Sequence, residues 1–141
     1  MQLFAPGGSR TVPQDRNPAT VTGTATFNGA GASTVVGATY TVPAGRRTFI
    51  SVASIFGLVT VAMAAGQTAF AEVIVTPNGG AAGFVDVDRC PAASAIGTKL
   101  HAQATGLWLK AGDAVDVRVA EDAGVGVVTC AGGFEGVEFD V

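Results

Sequence analysis

The sequence predicts an all-β protein: an antiparallel β-sandwich or jelly roll of about eight to ten short strands, preceded by an extended N-terminal arm. Three observations carry this expectation. Apolar and polar residues alternate at period two, as in "DAVDVRV", where Val115, Val117 and Val119 take one face and Asp116 and Arg118 the other. Turn signals built on Gly and Pro separate these runs at intervals of about 8 to 14 residues. No segment places apolar residues at the spacing of an amphipathic helix.

Residues 1–20, "MQLFAPGGSRTVPQDRNPAT", hold three of the six prolines and no sustained period, which predicts an arm; residues 21–141 are then the sandwich domain. "TVTGTATFN" and "STVVGATYTV" read as strands from their Thr, Val and aromatic content. "VPAG" follows as a turn, with Pro43 setting one dihedral angle and Gly45 free to take a positive one. "RRTFISVASIF" is apolar on both faces, as in a strand covered on two sides, and "AFAEVIVT" ends at a second turn, "PNGG". In "GFVDVD" the alternation sends Val85 and Val87 one way and Asp86 and Asp88 the other, onto a solvated face; "TKLHAQA" alternates in the same manner. The closing "GVEFDV" is expected to point Val137, Phe139 and Val141 inward and Glu138 and Asp140 outward.

With 141 residues the chain is long enough for a real core without staples, and 48% hydrophobic residues against 13% charged ones leave it too apolar for disorder. So few charges are unusual for an ordinary solvated surface and imply that other protein covers much of it. The net charge of −3 is uneven. Residues 1–60 carry Arg10, Arg16, Arg46 and Arg47 against Asp15, whereas the remainder is acidic. No basic stripe interleaved with stacking aromatics is present, so a nucleic-acid partner is not expected.

The stretch from Arg46 to Glu72 has no charge between Arg47 and Glu72 and imitates a membrane span or an export signal. The 45 residues before it and its scattered Ser, Thr, Gly and Gln argue for two or three buried strands instead. No membrane association is therefore expected.

Catalytic constellations are missing. His101 is the one histidine, which removes metal-binding cupin sites that need several imidazoles; a hydrolase triad usually needs a His with an acid partner, whereas His101 sits in an alternating strand as a packed or surface residue. "NGGAAG" and "AGVGVV" lack the Lys-Ser/Thr ending of a phosphate loop and read as turns. Asp86 with Asp88 and Glu121 with Asp122 are carboxylate pairs without a calcium-loop pattern. Cys90 and Cys130 are too far apart in sequence for a metal knuckle and are expected as buried thiols, a bridge requiring adjacent strands. No enzyme, cofactor or metal is expected. Trp108, between two Leu residues, reads as core or subunit interface rather than a sugar platform.

"TYTVPAGRRTFISVASI", "LWLKAGDAVDVRV" and "GGFEGVEFDV" resemble the trimeric jelly-roll family of complement globular heads and tumour-necrosis-factor-like domains, a module that phage virions also use. In that family a strand follows a "VPAG"-like turn, a Leu-rich strand passes through a Gly-Asp turn into a Val-rich strand, and the chain closes on a strand opening with Phe and Gly. Tyr40 to Gly45, Leu107 to Val119 with Gly112 and Asp113, and Phe134 to Val141 occupy those places, and the resemblance spans about residues 38–141. It implies a homotrimer whose interface includes Leu107, Trp108, Leu109, Tyr40 and Phe134. The arm replaces the collagen-like or membrane stalk of extracellular members. This favours a capsid decoration protein at the virion surface, its arm engaging the major capsid protein lattice through Leu3, Phe4, Arg10 and Arg16. The alternative is a tail-fibre or head-fibre tip that recognises a host surface glycan.

Overall fold

The computed structural model describes residues 19–30 and 34–141. Eight strands follow in order: β1 (Ala19–Ala30), β2 (Thr34–Thr41), β3 (Arg46–Val61), β4 (Ala69–Thr76), β5 (Gly83–Cys90), β6 (Lys99–Lys110), β7 (Ala114–Glu121) and β8 (Val127–Asp140). The expected arm, residues 1–20, lies outside the described residues except for Ala19 and Thr20, which belong to β1.

The strands form two four-stranded sheets, ordered β1-β8-β3-β6 and β2-β7-β4-β5, with every pairing antiparallel. β1 pairs with β8, β2 with β7, β3 with β6 and β4 with β5. A long antiparallel ribbon folded at the β4–β5 connection and rolled up gives this pattern, which is the winding of a jelly roll. The apolar stretch from Arg46 to Glu72 resolves into β3 and the start of β4. No helix of the described residues is long and apolar enough to cross a membrane.

The core fills the space between the sheets. Ile50, Ala53, Ile55, Val59, Leu100 and Ala102 face it from one sheet, and Ala71, Val73, Val115, Val117 and Val119 from the other, all essentially inaccessible. The predicted inward face of β7 is therefore observed. β3 changes parity within this arrangement: Thr48 and Ile50 point inward before Ser51, and Ala53, Ile55 and Val59 point inward after it. Ser51 is the extra residue of a bulge against β8, and its hydroxyl donates to Glu135 O at 3.1 Å. β6 shifts at the same level, where Gly106 takes a φ of 70° that a side chain would strain. "TKLHAQA" and "LWLK" are consequently one strand with opposite parity at its two ends.

Two strand faces run against expectation. On β5, Val85 and Val87 are exposed, and Asp86 and Asp88 turn toward β6 instead of solvent. The cause lies in the topology, since β5 and β6 are neighbouring edges of the two sheets and edge N–H groups of β6 need acceptors. Asp86 accepts the Gln103 N–H at 2.7 Å and Asp88 the His101 N–H at 2.8 Å. On β8, Phe134 is buried, so Glu138 shares its face, and Val137 and Phe139 lie on the outside of the sheet.

The turns that open the two quoted motifs meet at one end of the sandwich. Val42 and the β6–β7 turn exchange two backbone hydrogen bonds, Val42 N to Asp113 O and Gly112 N to Val42 O, both 2.9 Å. The buried Asp113 carboxylate accepts from Asn78 N at 2.8 Å in the "PNGG" turn and from Lys110 N at 3.0 Å. These backbone donors hold its carboxyl below the usual carboxylate range. Gly112, at φ 84°, leaves no room for a Cβ, which would meet the Asn78 side chain at 2.4 Å.

Candidate interaction surface

The bulge at Ser51 determines what the outer face of the β1-β8-β3-β6 sheet displays. Beyond it, Phe49 faces outward and pairs in register with Trp108 on β6 and Val137 on β8, while Arg47 pairs with Lys110 and Phe139. The result is an aromatic platform. The Phe49 and Trp108 rings are 4.8 Å apart at a tilt of 43°, and Trp108 and Phe139 stack at 6.0 Å. The Arg47 guanidinium lies 5.5 Å from the Trp108 ring centroid and 5.6 Å from that of Phe139, within cation–π range. Trp108 remains 59% exposed. Beside it runs an open groove lined by Arg47, Trp108, Leu109, Lys110 and Asp113.

The five residues expected at a trimer interface do not share one surface. Trp108 alone of them is exposed. Leu107 is half-buried against the core, and Leu109 and Phe134 are buried in it, because β6 and β8 alternate and neighbours of an outward ring point inward. Tyr40 and Phe134 meet inside the sandwich with ring centroids 5.7 Å apart. The Tyr40 hydroxyl donates to Glu138 and lies 3.0 Å from Thr48 Oγ1. Burial, with the hydrogen bond to Glu138, pushes the phenol up to about 12. Leu3, Phe4, Arg10 and Arg16 fall outside the described residues.

Phe49, Val137 and Phe139 are the platform residues that periodicity misses. Their partnership with Trp108 depends on cross-strand register and on the bulge, neither of which leaves a local pattern.

Elsewhere, the outer face of the second sheet carries an ion pair, Arg118 Nε to the buried Glu72 Oε2 at 2.6 Å. His101 is exposed. Cys90 and Cys130 are free, buried, and on strands of different sheets. No group of three or more His, Cys, Asp or Glu among the described residues could hold a metal ion.

No protein-family model matches the chain, and no curated protein matches it. Among solved structures it is similar to the structure of infectious bursal disease virus Gx strain, with 11% sequence identity and a TM-score of 0.42. The alignment covers 89% of this chain and 33% of that one, so the chain spans about a third of the length of the structure it matches.

Proposed function

We propose that the chain is a structural protein of a virion, a homotrimeric decoration or cement protein on the capsid surface that acts by binding alone. The observation that supports this reading best is the aromatic platform of Trp108, Phe49 and Phe139. Exposed apolar patches of this kind mark interaction sites, and a chain with 13% charged residues has little polar surface to offset one. In this reading Trp108, with Phe49 and Phe139, makes the subunit contact, and Leu107, Leu109, Tyr40 and Phe134 support it from within the sandwich. Leu3, Phe4, Arg10 and Arg16 of the arm engage the major capsid protein lattice.

The solution mass, measured by light scattering with and without residues 1–20, tests the assembly. A trimer that survives removal of the arm while losing its binding to empty capsids is the expected result. A monomer in both forms overturns the trimer, and undiminished capsid binding by the truncated chain overturns the role of the arm.

A second reading, a fibre tip or adhesin, draws on the same Trp108. Its exposed ring and the groove beside it, with the basic Arg47 and Lys110, suit an acidic surface glycan. Binding of the chain to host cells or to an acidic polysaccharide that Trp108→Ala abolishes, without any binding to capsids, would favour this alternative.

A further inference from the structure

The opposite end of the sandwich, where the β3–β4, β5–β6 and β7–β8 connections meet, holds two buried polar side chains with contrasting fates. Gln67 is hydrogen-bonded through both its amide oxygen and its amide nitrogen. Its Oε1 accepts from Gly126 N at 2.8 Å and Ala64 N at 3.2 Å, and its Nε2 donates to Gly126 O at 3.0 Å, tying the β7–β8 connection to the β3–β4 connection. Glu121, the last residue of β7, is 3% exposed, and among the described residues neither carboxylate oxygen has a hydrogen-bond partner. Both groups sit beside the same short connection, Asp122 to Gly126.

The register partners of Glu121 are Thr34 on β2 and Ala69 on β4, and Ala69 in turn pairs with the buried Cys90 on β5. Across the sandwich it faces Cys130 on β8, whose thiol is pushed up to about 12 by burial and by the negative charge of Glu121. Asp122 points outward and accepts a hydrogen bond from the Thr68 hydroxyl. Among the described residues nothing cationic faces the carboxyl. Burial alone raises its pKa from 4.5 to about 7. A carboxyl in such a place is tolerated when protonated and costly when ionised.

We propose that Glu121 is a proton-operated latch: neutral, it lets the Asp122–Gly126 connection close over this end of the sandwich, and on ionisation it swings to solvent and releases that connection. Position makes this the cheapest response, since the terminal residue of a strand leaves its sheet without disturbing the core rows at Val115, Val117 and Val119. Opening breaks the Gln67–Gly126 hydrogen bonds and gives solvent a route to Cys130. The inference stands independently of the virion reading.

The test follows the Gly126 amide by hydrogen exchange, expressed as a protection factor so that base catalysis of exchange cancels, at pH 5.5 and pH 8.0. Protection at Gly126 is expected to fall at least about tenfold across that range, with the amides of Val117 and Val119 unchanged. In a Cys90→Ala background, the maleimide labelling rate of Cys130 relative to that of the same protein with Glu121→Gln or Glu121→Met should rise by a similar factor. The Met variant removes both the charge and the unmet hydrogen-bonding groups, so it serves where the Gln variant does not fold. Protection at Gly126 that is equal at both pH values overturns the latch, whether or not either variant folds. A fall that persists in Glu121→Met assigns the opening to another group and overturns it equally.

Discussion

Asp113 shows how one side chain can organise an end of the molecule. Its carboxylate satisfies backbone donors from two turns, and hydrogen bonds to a charged acceptor contribute about 1.5–3 kcal/mol. Asp113→Ala is expected to lower the unfolding free energy by about that amount, measured by urea titration at neutral pH. Because the folded-state pKa lies below the ordinary 3.8, this contribution is present above that value and lost as pH falls through the folded one. The acid limb of the stability profile should flatten in the variant. Tyr40 makes a different point. Its hydroxyl is engaged by Glu138 and Thr48 inside the sandwich, so Tyr40→Phe should cost about 1 kcal/mol in stability and leave the solution mass unchanged. A change of mass on that substitution would return Tyr40 to the subunit interface.

Among the elements, β5 and β6 show how two sheet edges are closed against each other. A free edge invites pairing with another chain, and inward-turned carboxylates block it. Replacing both Asp86 and Asp88 by Ala leaves the Gln103 and His101 amides without their acceptors. Hydrogen exchange should accelerate at those two amides and not at Ile55 or Val117, and the protein should become more prone to aggregate. Unaltered exchange at Gln103 and His101 would mean that water replaces the carboxylates without loss. The paired shifts at Ser51 and Gly106 matter equally, because they reverse which residues of β3 and β6 face outward and so create the aromatic platform.

For the whole molecule, the abnormal carboxyls of Asp113 and Glu121 set opposite limits on stability. Asp113 withdraws its contribution at low pH, and Glu121 withdraws its own as pH rises from 4.5 through about 7. Stability should therefore peak on the acid side of neutrality, and Glu121→Met should remove up to about 3 kcal/mol of the decline between pH 5 and pH 8. Parallel stability curves for parent and variant would contradict this. In the proposed trimer the platform serves assembly rather than folding. Trp108→Ala removes a ring that is 59% exposed, so on the proposed reading the variant is expected to have the solution mass of a monomer, with a change of less than about 1 kcal/mol in the stability of the subunit. An intact trimer would move the contact elsewhere.

What the sequence determined by itself is whatever depends on near neighbours in the chain. The all-β class, the strands around "DAVDVRV" and "AFAEVIVT", the "VPAG" and "PNGG" turns, and the inward row of Val115, Val117 and Val119 all follow from period-two alternation and local turn chemistry. Tertiary structure decided the faces wherever a second strand intervened. The outward Val85 and Val87 follow from the β5 edge, whose carboxylates turn toward β6, whereas the inward Glu138 and the outward Phe139 follow from the alternation of the central strand β8 counted from the buried Phe134. Trp108 was visible in the sequence, but its partner Phe49 was not, since a one-residue bulge flips a face without leaving a mark in composition, and Phe139 was missed because its apolar character was read as inward. The same reason hid Glu121: an acidic residue ending an alternating strand looks solvated until the opposite sheet and its connections close over it.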